Sequence, residues 1–554
     1  MNHSGIIDMV PAEIRREWTR NGIYPNKSVY ELFCEQVSQH PDNPAVISLD
    51  QTISYAELSD KVRRLAASLE ALGIVPGDVI AYQLSNSWRS CAIDLAAAAL
   101  GAIVAPFPPG RGRLDIQSLL RRCGARVIIV EQEHARVDLC EIVESLRPTV
   151  LSLRVLVVDG KNRYGWRTLD DLFQAEPIGP GQLPVVSPDS PVRFLISSGT
   201  ESEPKWVAYS HNALAGGRGR FLQRIHPDGK TFRGLYLMPL GTAFGSTATF
   251  GALSCLGGSI VVMRQFDVAA AIQAIAELRP AYIFGVPTML QRIAADPALS
   301  QTDTSSLIAI VSGGAKIDEA SIRRCTEAFR CGFISLYGSA EGVNCHTTPD
   351  DDLEIICRKA GRPNPDVCSI RIVDDRKQEA PPGCIGEIAA RGPLSPMQYV
   401  NAPDLDALYR DKDGWVYTGD LGLIDNDGYL VLSGRKKDII IRGGVNISPA
   451  QIENIAVSHP AVVSAACVPV ADPDLGHRVC LCLVLRDGAE RPSLSQFTAY
   501  LREQGLETNK LPEYLRYYRH LPLSPAGKVD KKRLAADVEL FQQTARPGVA
   551  QWAH

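Results

Sequence analysis

Short runs of aliphatic and β-branched residues alternate with helical stretches through much of this chain, and this alternation limits its possible folds. The runs are predicted as buried strands at 78–83, 102–106, 126–130, 155–158, 192–196, 235–239, 259–262, 282–285 and 308–311. Strands that alternate with helices form parallel sheets with helices on their faces. The pattern therefore predicts an α/β fold in which a large N-terminal domain contains layered, mostly parallel sheets.

Two changes in this pattern divide the rest of the chain. Between residues 367 and 388 the segments become short and strand-like, which predicts a small β subdomain. A boundary is predicted at Gly434-Arg-Lys-Lys-Asp438, and a helix is predicted to begin at Ser448-Pro449. Because 554 residues exceed one compact core, we predict an N-terminal domain at 1–434 and a small α+β domain at 435–554.

Composition and charge exclude several classes of function. A net charge of -4 over 554 residues gives no general attraction to nucleic acid or to an anionic membrane. The longest apolar run, at 95–107, is too short to cross a bilayer, and the first residues lack the order of a signal peptide. The fourteen cysteines are scattered without paired Cys-x-x-Cys motifs. We therefore expect a cytoplasmic protein with no stable membrane insertion.

A Ser/Gly/Thr segment follows the predicted strand at 192–196 and ends at a lysine. It reads Ile196-Ser-Ser-Gly-Thr-Glu-Ser-Glu-Pro-Lys205. Such a segment offers backbone N–H groups, hydroxyls and one cation to a polyphosphate. It is not a Walker A loop, because Gly-Lys-Ser/Thr is absent. Since loops of this composition are common, an ordinary surface turn is the alternative interpretation.

Further motifs follow in a fixed order. They are Leu336-Tyr-Gly-Ser-Ala-Glu341, Tyr417-Thr-Gly-Asp420, Gly434-Arg-Lys-Lys-Asp438 and Pro525-Ala-Gly-Lys528. Together with the Ser/Gly/Thr segment they resemble the AMP-forming acyl-CoA synthetase (acyl-CoA ligase) family of the adenylate-forming enzyme superfamily. The resemblance extends from about residue 28 to 535. Each motif alone is weak, whereas their common order and spacing make a chance match improbable.

The resemblance implies a two-step ligase reaction with ATP, Mg²⁺ and coenzyme A. A carboxylate attacks the α-phosphate of ATP, which gives an acyl-adenylate and pyrophosphate. The C-terminal domain then rotates about a hinge near Lys437, and the CoA thiol displaces AMP to form the acyl-CoA thioester. The partners implied are a small carboxylic acid or its acyl-adenylate and CoA. The sequence does not indicate the oligomeric state or the resting orientation of the C-terminal domain.

Individual residues take the roles that the resemblance implies. Lys528 stabilises the charge of the adenylation transition state, Asp420 accepts hydrogen bonds from the ribose hydroxyls, and Glu341 with Thr200 binds Mg²⁺. The catalytic residues are Lys528, Glu341 and Gly444, and CoA passes Gly443 and Gly444. The nucleotide-binding residues are Ser198, Gly199, Thr200, Lys205, Gly314, Ala315, Tyr337, Gly338, Ser339, Ala340, Asp420, Arg435, Lys437, Asn446 and Lys528. Outside the family context these positions are ordinary turn, surface or core residues.

Four residues depart from the family pattern. Glu201 replaces a threonine and Ser202 a glycine in the phosphate loop, Trp206 replaces the glycine after Lys205, and Ala340 replaces the threonine before Glu341. A carboxylate about 6 Å from a phosphate charge costs roughly 3 kcal/mol at an effective dielectric constant of about 20. The departures predict poor use of ATP, unless Glu201 points to solvent or pairs with Lys205. An alternative function is thus the thioester-forming half-reaction on a preformed acyl-adenylate.

The acyl pocket is predicted to be uncharged. Amino-acid-activating relatives place an aspartate near the segment Leu240-Gly-Thr-Ala-Phe-Gly-Ser246, and this chain has none there. Phe244, Gly245, Gly313 and Val343 are the predicted pocket residues. They favour a hydrophobic carboxylic acid whose identity the sequence does not give. Two alternatives remain, namely a stand-alone adenylation domain that loads a carrier protein and a non-catalytic adenylate-binding protein.

Overall fold

The computed structural model describes residues 5–197, 204–226, 231–314, 317–443, 445–523 and 529–544. The chain forms two compact units. The first comprises residues 1–370 and 389–418, and the second comprises residues 371–388 and 419–554. The hinge near Lys437 and the rotation about it remain predictions. In the part of the chain that is described, no helix is long and apolar enough to cross a membrane.

The helices are numbered in chain order. They are α1 (Ala12–Arg20), α2 (Val29–Gln39), α3 (Tyr55–Ala71), α4 (Trp88–Leu100), α5 (Arg113–Cys123), α6 (Leu139–Leu146), α7 (Leu169–Leu172), α8 (His211–Ala213), α9 (Arg220–Ile225), α10 (Val268–Leu278), α11 (Pro287–Ala294), α12 (Pro297–Ser300), α13 (Glu319–Phe329), α14 (Leu353–Arg358), α15 (Pro403–Tyr409), α16 (Pro449–Val457), α17 (Leu494–Glu503) and α18 (Lys531–Thr544). Two π-helical segments are Leu214–Gly219, between α8 and α9, and Thr247–Leu253.

The strands are numbered in the same way. They are β1 (Pro44–Ile47), β2 (Thr52–Ser54), β3 (Val79–Gln83), β4 (Ile103–Pro106), β5 (Val127–Glu131), β6 (Glu133–His134), β7 (Val137–Asp138), β8 (Val155–Asp159), β9 (Arg167–Thr168), β10 (Pro191–Ser197), β11 (Lys205–Ser210), β12 (Arg233–Tyr236), β13 (Ser259–Val262), β14 (Tyr282–Gly285), β15 (Ala309–Gly313), β16 (Gly332–Gly338), β17 (Asn344–His346), β18 (Ser369–Val373), β19 (Gly386–Arg391), β20 (Gln398–Tyr399), β21 (Val416–Ile424), β22 (Leu430–Arg435), β23 (Ile440–Arg442), β24 (Val445–Ile447), β25 (Val462–Asp472), β26 (Gly476–Leu485) and β27 (Tyr514–Tyr517).

Two eight-stranded sheets form the first unit. One has the order β17-β16-β15-β14-β12-β13-β1-β2, and the other has the order β20-β11-β10-β4-β3-β5-β8-β9. Pairing is parallel through the middle of each sheet and antiparallel at β17 and β2 in the first and at β11 and β20 in the second. The prediction of an α/β fold with mostly parallel sheets is confirmed.

Helix α3 shows why the sequence folds in this way locally. Ser54 and Glu57 form a capping box at its start. The apolar residues Val62, Leu65 and Leu69 recur at helical spacing and are fully buried. Gly73 follows the helix with a φ of 80°, a conformation that glycine adopts without strain. The capping box, the helical spacing of the apolar residues and the glycine after the last turn together account for the position of α3.

A buried ion pair joins strand β10 to helix α4 and, through further hydrogen bonds, to β3 and the segment after β12. Arg193 Nη1 lies 2.6 Å from Asp94 Oδ2, and both side chains are almost fully buried. The Tyr82 hydroxyl donates to Asp94 over 2.9 Å, and Arg193 Nη2 donates to the Leu240 carbonyl over 2.8 Å. Burial raises the pKa of Asp94, which Arg193 and the neighbouring hydroxyls oppose. The pair thus fixes the beginning of the segment 240–246.

The second unit contains the four-stranded sheet β18-β19-β21-β22 and a sheet of β24-β23-β26-β25 in which β27 also pairs with β26. Helix α16 begins with Pro449 at its first position, as predicted. Ser448 precedes it but makes no side-chain cap, because its hydroxyl donates to the Ser433 carbonyl over 2.7 Å. Ser448 thereby joins the start of α16 to β22.

Candidate active site

The carboxylate of Glu341 lies in the first unit where the turn after β16 meets the second sheet. Its Oε1 accepts hydrogen bonds from the hydroxyls of Ser197, the last residue of β10, and of Tyr399 in β20, the latter over 3.5 Å. The backbone N–H of Glu341 donates to Ser339 Oγ over 3.1 Å. Hydroxyls from two separate strands, β10 and β20, therefore hold this carboxylate, and Ser339 holds the backbone of the same residue.

Tyr209 in β11 holds the same turn from another side. Its hydroxyl donates to the Ala340 carbonyl over 2.7 Å, and its ring is fully buried. Burial raises the pKa of Tyr209, and the negative charge of Glu341 acts in the same direction. Burial likewise raises the pKa of Tyr399, again with a contribution from Glu341. Both phenols stay protonated at neutral pH and act as hydrogen-bond donors.

The predicted phosphate loop connects two strand ends that pair with each other. Ser197 at the end of β10 lies opposite Lys205 at the start of β11. The Lys205 side chain is buried, and its ammonium lies 5.4 Å from the centre of the Tyr409 ring. The other predicted loop residues, Ser198, Gly199 and Thr200, lie outside the described residues, as do the departures Glu201 and Ser202.

The predicted nucleotide-binding residues Gly314, Tyr337 and Gly338, and the predicted acyl-pocket residue Gly313, lie at the carboxyl ends of β15 and β16. Gly313 ends β15 opposite Leu336, and Gly314 follows with a φ of 82°. Tyr337 pairs with Cys345 and is half-buried, and Gly338 pairs with Asn344. Ala315 lies outside the described residues. Neighbouring parallel strands thus bring these segments to one edge of the sheet, where ligands of open α/β sheets bind.

The predicted acyl-pocket residues differ in their surroundings. Val343 is fully buried in the core, and the half-buried Phe244 ring meets the Phe284 ring edge-on with 5.9 Å between centres. Gly245 approaches the backbone so closely that an added Cβ would lie 2.3 Å from the Pro239 carbonyl oxygen. This backbone contact alone requires a glycine at position 245. The glycine is therefore not evidence that space is left for an acyl group.

The second unit contains the predicted ribose and hinge residues. Asp420 in β21 and Arg435 in β22 are register partners, and Asp420 Oδ1 lies 2.9 Å from Arg435 Nε. Lys437 follows in a short 3₁₀ turn, Lys436–Asp438. Lys436 pairs with Asp375 over 3.0 Å. The carboxylate and the guanidinium that are predicted to bind the nucleotide are therefore adjacent and pair with each other on one hairpin.

The remaining predicted residues of this unit lie around β23 and β24. Gly443 has a φ of 54°, and its N–H donates to the Leu475 carbonyl over 2.8 Å. The backbone of Asn446 belongs to β24. The side chain of Asn446, together with Gly444 and Lys528, is outside the described residues. Their catalytic and CoA-binding roles stay predictions.

Comparison with known proteins identifies the family. The sequence model of the AMP-binding enzyme family matches residues 33–400, and that of the AMP-binding enzyme C-terminal domain matches residues 451–528. The chain belongs to the AMP-binding enzyme family. Its members named below are adenylate-forming ligases and synthetases, so this AMP-binding protein is an enzyme of that kind.

Three relatives differ in the activities for which they are named. The chain is 30% identical to 2,3-dihydroxybenzoate-AMP ligase of Bacillus subtilis over 95% of this chain and 96% of that one. It is 28% identical to medium-chain fatty-acid–CoA ligase of Escherichia coli, over 95% and 93% respectively. The amide bond synthetase McbA of Marinactinospora thermotolerans superposes with a TM-score of 0.80 at 28% identity, covering 92% of this chain and 99% of McbA. The family is clear, whereas the final acceptor differs among its members.

The residues that hold Glu341 were only partly predictable in this AMP-binding enzyme. Ser197 precedes the predicted phosphate loop directly, so its involvement has a sequence signal. Tyr209 and Tyr399 lie in apolar strands, where a tyrosine is usually a core residue, and no motif marks them. Only the pairing of β11 with β20 places both hydroxyls beside the turn at Ala340 and Glu341.

The surroundings of Glu341 fit one magnesium ligand rather than a complete protein cage. Among the described residues, no group of three or more His, Cys, Asp or Glu side chains is arranged to hold a metal. Mg²⁺ commonly takes one or two carboxylates and completes its shell with substrate phosphates and water. Glu341 offers such a carboxylate, and the bound ion would neutralise phosphate charge. Thr200, the second predicted ligand, is outside the described residues.

Trp206 occupies the family's glycine position without entering the phosphate site. Its side chain is 1% exposed, and the indole N–H donates to the Leu119 carbonyl of α5 over 2.9 Å. Its ring packs against Phe107 and Phe194, each with ring centres 6.4 Å away. The concern that this departure disturbs phosphate binding is not supported, because the indole is part of the core beneath the sheet.

We expect Trp206→Gly to destabilise the first unit without improving the use of ATP. Removal of a fully buried large aromatic side chain costs about 3–5 kcal/mol. Urea unfolding monitored by circular dichroism and ATP–pyrophosphate exchange measure the two effects. Trp206→Phe is the matched control and should lose less stability. A stable Trp206→Gly variant with faster exchange would show that the indole obstructs the nucleotide.

Proposed function

We propose that this AMP-binding enzyme is an acyl-CoA ligase that converts a hydrophobic carboxylic acid to its CoA thioester through an acyl-adenylate. The observation that carries the proposal is the Glu341 carboxylate at the turn after β16, held by Ser197 next to the phosphate loop and by Tyr399. This arrangement supports the proposal, because a single hard-oxygen group beside the strand ends that carry the nucleotide motifs suits a nucleotide-bound Mg²⁺.

Our proposed mechanism gives the chain's residues two tasks. In the first half-reaction Lys205 and the N–H groups of the phosphate loop orient the triphosphate, while Lys528 stabilises the charge that develops on the α-phosphate. The acid's oxygen forms a bond to phosphorus as pyrophosphate leaves. In the second half-reaction the CoA thiol, passing Gly443 and Gly444, attacks the acyl carbon and AMP leaves. Asp420 and Arg435 hold the ribose during both steps.

CoA is favoured as the acceptor by two features. The sequence retains Gly443 and Gly444, and Gly443 has the positive φ that glycine adopts without strain. One of the relatives above is a CoA ligase, and it matches this chain over nearly the whole length of both proteins.

The acid, in contrast, is indicated by the segment 240–246. The lack of an aspartate between Leu240 and Ser246 supports an acid without an α-ammonium group.

The test offers the enzyme three acceptors. The protein is incubated with ATP, Mg²⁺, a panel of aromatic and aliphatic acids, and either CoA, a phosphopantetheinyl carrier protein or a simple amine, and the products are identified by mass spectrometry. We expect the acyl-CoA thioester. A product found only with the carrier protein or only with the amine would contradict the proposal and assign the chain to another branch of the family.

A second candidate rests on Glu201 and Ser202, the two departures inside the phosphate loop. If they weaken ATP binding, the enzyme acts mainly on a preformed acyl-adenylate, since the groups that contact AMP and CoA are retained. Synthetic acyl-AMP supplied with CoA tests this route directly. Thioester formation from acyl-AMP, together with slow ATP–pyrophosphate exchange, would favour it. Rapid exchange by the wild-type enzyme would exclude it.

A further inference from the structure

Strand β20 is a two-residue edge strand that carries one partner of the Glu341 carboxylate. On its inner side the flanking Met397 and Val400 N–H groups donate to β11 over 2.7 and 2.9 Å. The hydroxyl of its Tyr399 lies 3.5 Å from Glu341 Oε1. An edge strand has no neighbouring strand on its outer side. The position of the Tyr399 hydroxyl therefore depends on what covers that side.

A carboxylate of helix α15 covers the outer side of β20. The backbone N–H of Tyr399 donates to both oxygens of Asp406, over 3.1 and 3.2 Å. Asp406 is 6% exposed and Tyr399 is 4% exposed, so water does not compete with this contact. One side chain thus satisfies the outward donor of the strand and fixes the residue whose hydroxyl reaches Glu341.

Arg410, directly after α15, fixes Asp406 in turn. Its Nε lies 3.0 Å from Asp406 Oδ1, and its Nη1 donates to the carbonyls of Pro396 and Met397 over 2.9 and 3.3 Å. Burial raises the pKa of Asp406, whereas the Tyr399 N–H and Arg410 oppose this shift. Apolar residues often replace a buried ion pair without loss of stability. The pair is therefore better explained by the position that it gives to Tyr399.

The last residue of α15 places the same helix beside the end of the predicted phosphate loop. The centre of the Tyr409 ring lies 5.4 Å from the Lys205 ammonium and 6.2 Å from the centre of the Tyr399 ring. Lys205 begins β11, directly after the loop. Helix α15 therefore borders both the lysine of the phosphate loop and the tyrosine that reaches Glu341.

We propose that Asp406 is a positioning residue for the binding of magnesium-bound ATP, because it holds the tyrosine that orients the Glu341 carboxylate. This inference rests on the proposed function, in which Glu341 binds the Mg²⁺ of the nucleotide. The hydroxyls of Ser197 and Tyr399 both bind Oε1, so among the described residues Oε2 keeps its lone pairs for the ion. Loss of a group that orients a ligating side chain typically lowers metal affinity about 10–100-fold.

The test measures nucleotide binding by isothermal titration calorimetry without a carboxylic acid, so that no turnover occurs. ATP in EDTA and MgATP are titrated separately, and the ratio of their dissociation constants gives the contribution of the metal. We expect the wild-type enzyme to bind MgATP more tightly. Tyr399→Phe and the double variant Asp406→Leu, Arg410→Met should each reduce the ratio about tenfold. The affinity for ATP in EDTA should not change.

A double-mutant cycle shows whether Asp406 acts through Tyr399. When Asp406→Leu, Arg410→Met is combined with Tyr399→Phe, we expect no further reduction of the ratio, because the hydroxyl that the pair positions is already absent. Additive reductions would overturn the inference, and so would an unchanged ratio in the variant of the pair. Both charges are replaced together because Asp406→Leu alone leaves Arg410 as an unpaired buried charge.

Asp406→Asn keeps the inference testable if the variant of the pair does not fold. Its amide oxygen still accepts the Tyr399 N–H, so it should reduce the ratio less, and this smaller reduction should also vanish in the Tyr399→Phe background. The matched control is Asp267→Leu, since Asp267 Oδ1 accepts the Ala270 N–H at the start of α10 over 2.9 Å. It removes a similar contact elsewhere in the first unit and should leave the ratio unchanged.

Glu341→Gln distinguishes this inference from the proposed function. If Glu341→Gln loses the contribution of the metal while the variant of the pair keeps it, only the positioning role of Asp406 is contradicted. If Glu341→Gln keeps the wild-type ratio, Glu341 is not the magnesium ligand, and the role of Asp406 is contradicted with it. Equal binding of ATP and MgATP by the wild-type enzyme would contradict both.

Discussion

The double variant Glu201→Thr, Ser202→Gly is expected to exchange pyrophosphate into ATP about a hundredfold faster than the wild-type enzyme. A carboxylate about 6 Å from a phosphate charge costs roughly 3 kcal/mol at an effective dielectric constant of about 20. This corresponds to about a hundredfold in rate or binding. Ser202 adds to the effect if the loop needs the left-handed conformation there, which costs about 1–2 kcal/mol for a residue other than glycine.

The thioester half-reaction provides the internal control for this variant. Formation of acyl-CoA from synthetic acyl-AMP should be the same in both proteins, because the β- and γ-phosphates are absent from that step. Glu133→Thr removes an equal charge from an exposed position elsewhere in the first unit and should change neither rate. If wild-type exchange is already fast and the double variant is no faster, Glu201 does not face the phosphates.

Asp94→Asn is expected to lower the free energy of unfolding of the first unit by about 3–5 kcal/mol, because it leaves the buried Arg193 charge without a counter-ion. Burial raises the pKa of Asp94 in spite of Arg193, so desolvation is a large part of the balance. The double replacement Asp94→Leu, Arg193→Met should therefore be much less harmful than the single one. Urea unfolding followed by tryptophan fluorescence measures this unit, which contains Trp88 and Trp206.

The same change should affect substrate binding. Arg193 also donates to the Leu240 carbonyl at the start of segment 240–246, so disturbance of the ion pair is expected to raise the KM for the acid more than it lowers kcat. Arg279→Met, which breaks the exposed pair with Asp303, is the control and should cost less than about 1 kcal/mol. Equal losses of unfolding free energy in Asp94→Asn and Arg279→Met would show that the buried pair contributes no more to stability than a surface pair.

The sequence was sufficient to predict the strands and to recognise the family motifs, because each depends on short-range patterns. Apolar runs such as 126–130 and 259–262 became central parallel strands. The position of the Trp206 side chain was harder to predict, because the loss of a motif glycine does not indicate where the new side chain points. Its burial against α5 follows only from the strand's register in the sheet.

Long-range contacts account for what the sequence did not reveal. The hydroxyl of Tyr399 reaches Glu341 across 58 residues, and Arg193 reaches Leu240 across 47. Asp406 was indistinguishable from a surface aspartate in the sequence, because an acidic residue near the start of a short helix is usually exposed. Such positions depend on sheet order and helix packing, which a single sequence does not specify.

The hydroxyl of Ser197 gives the Glu341 carboxylate a second consequence. Ser197 is the last described residue before segment 198–203, and its hydroxyl donates to Glu341 Oε1. If Glu341 binds the metal of the nucleotide as proposed, a cation that draws the carboxylate away would break this hydrogen bond. Metal binding would then be coupled to the position of the Ser197 side chain.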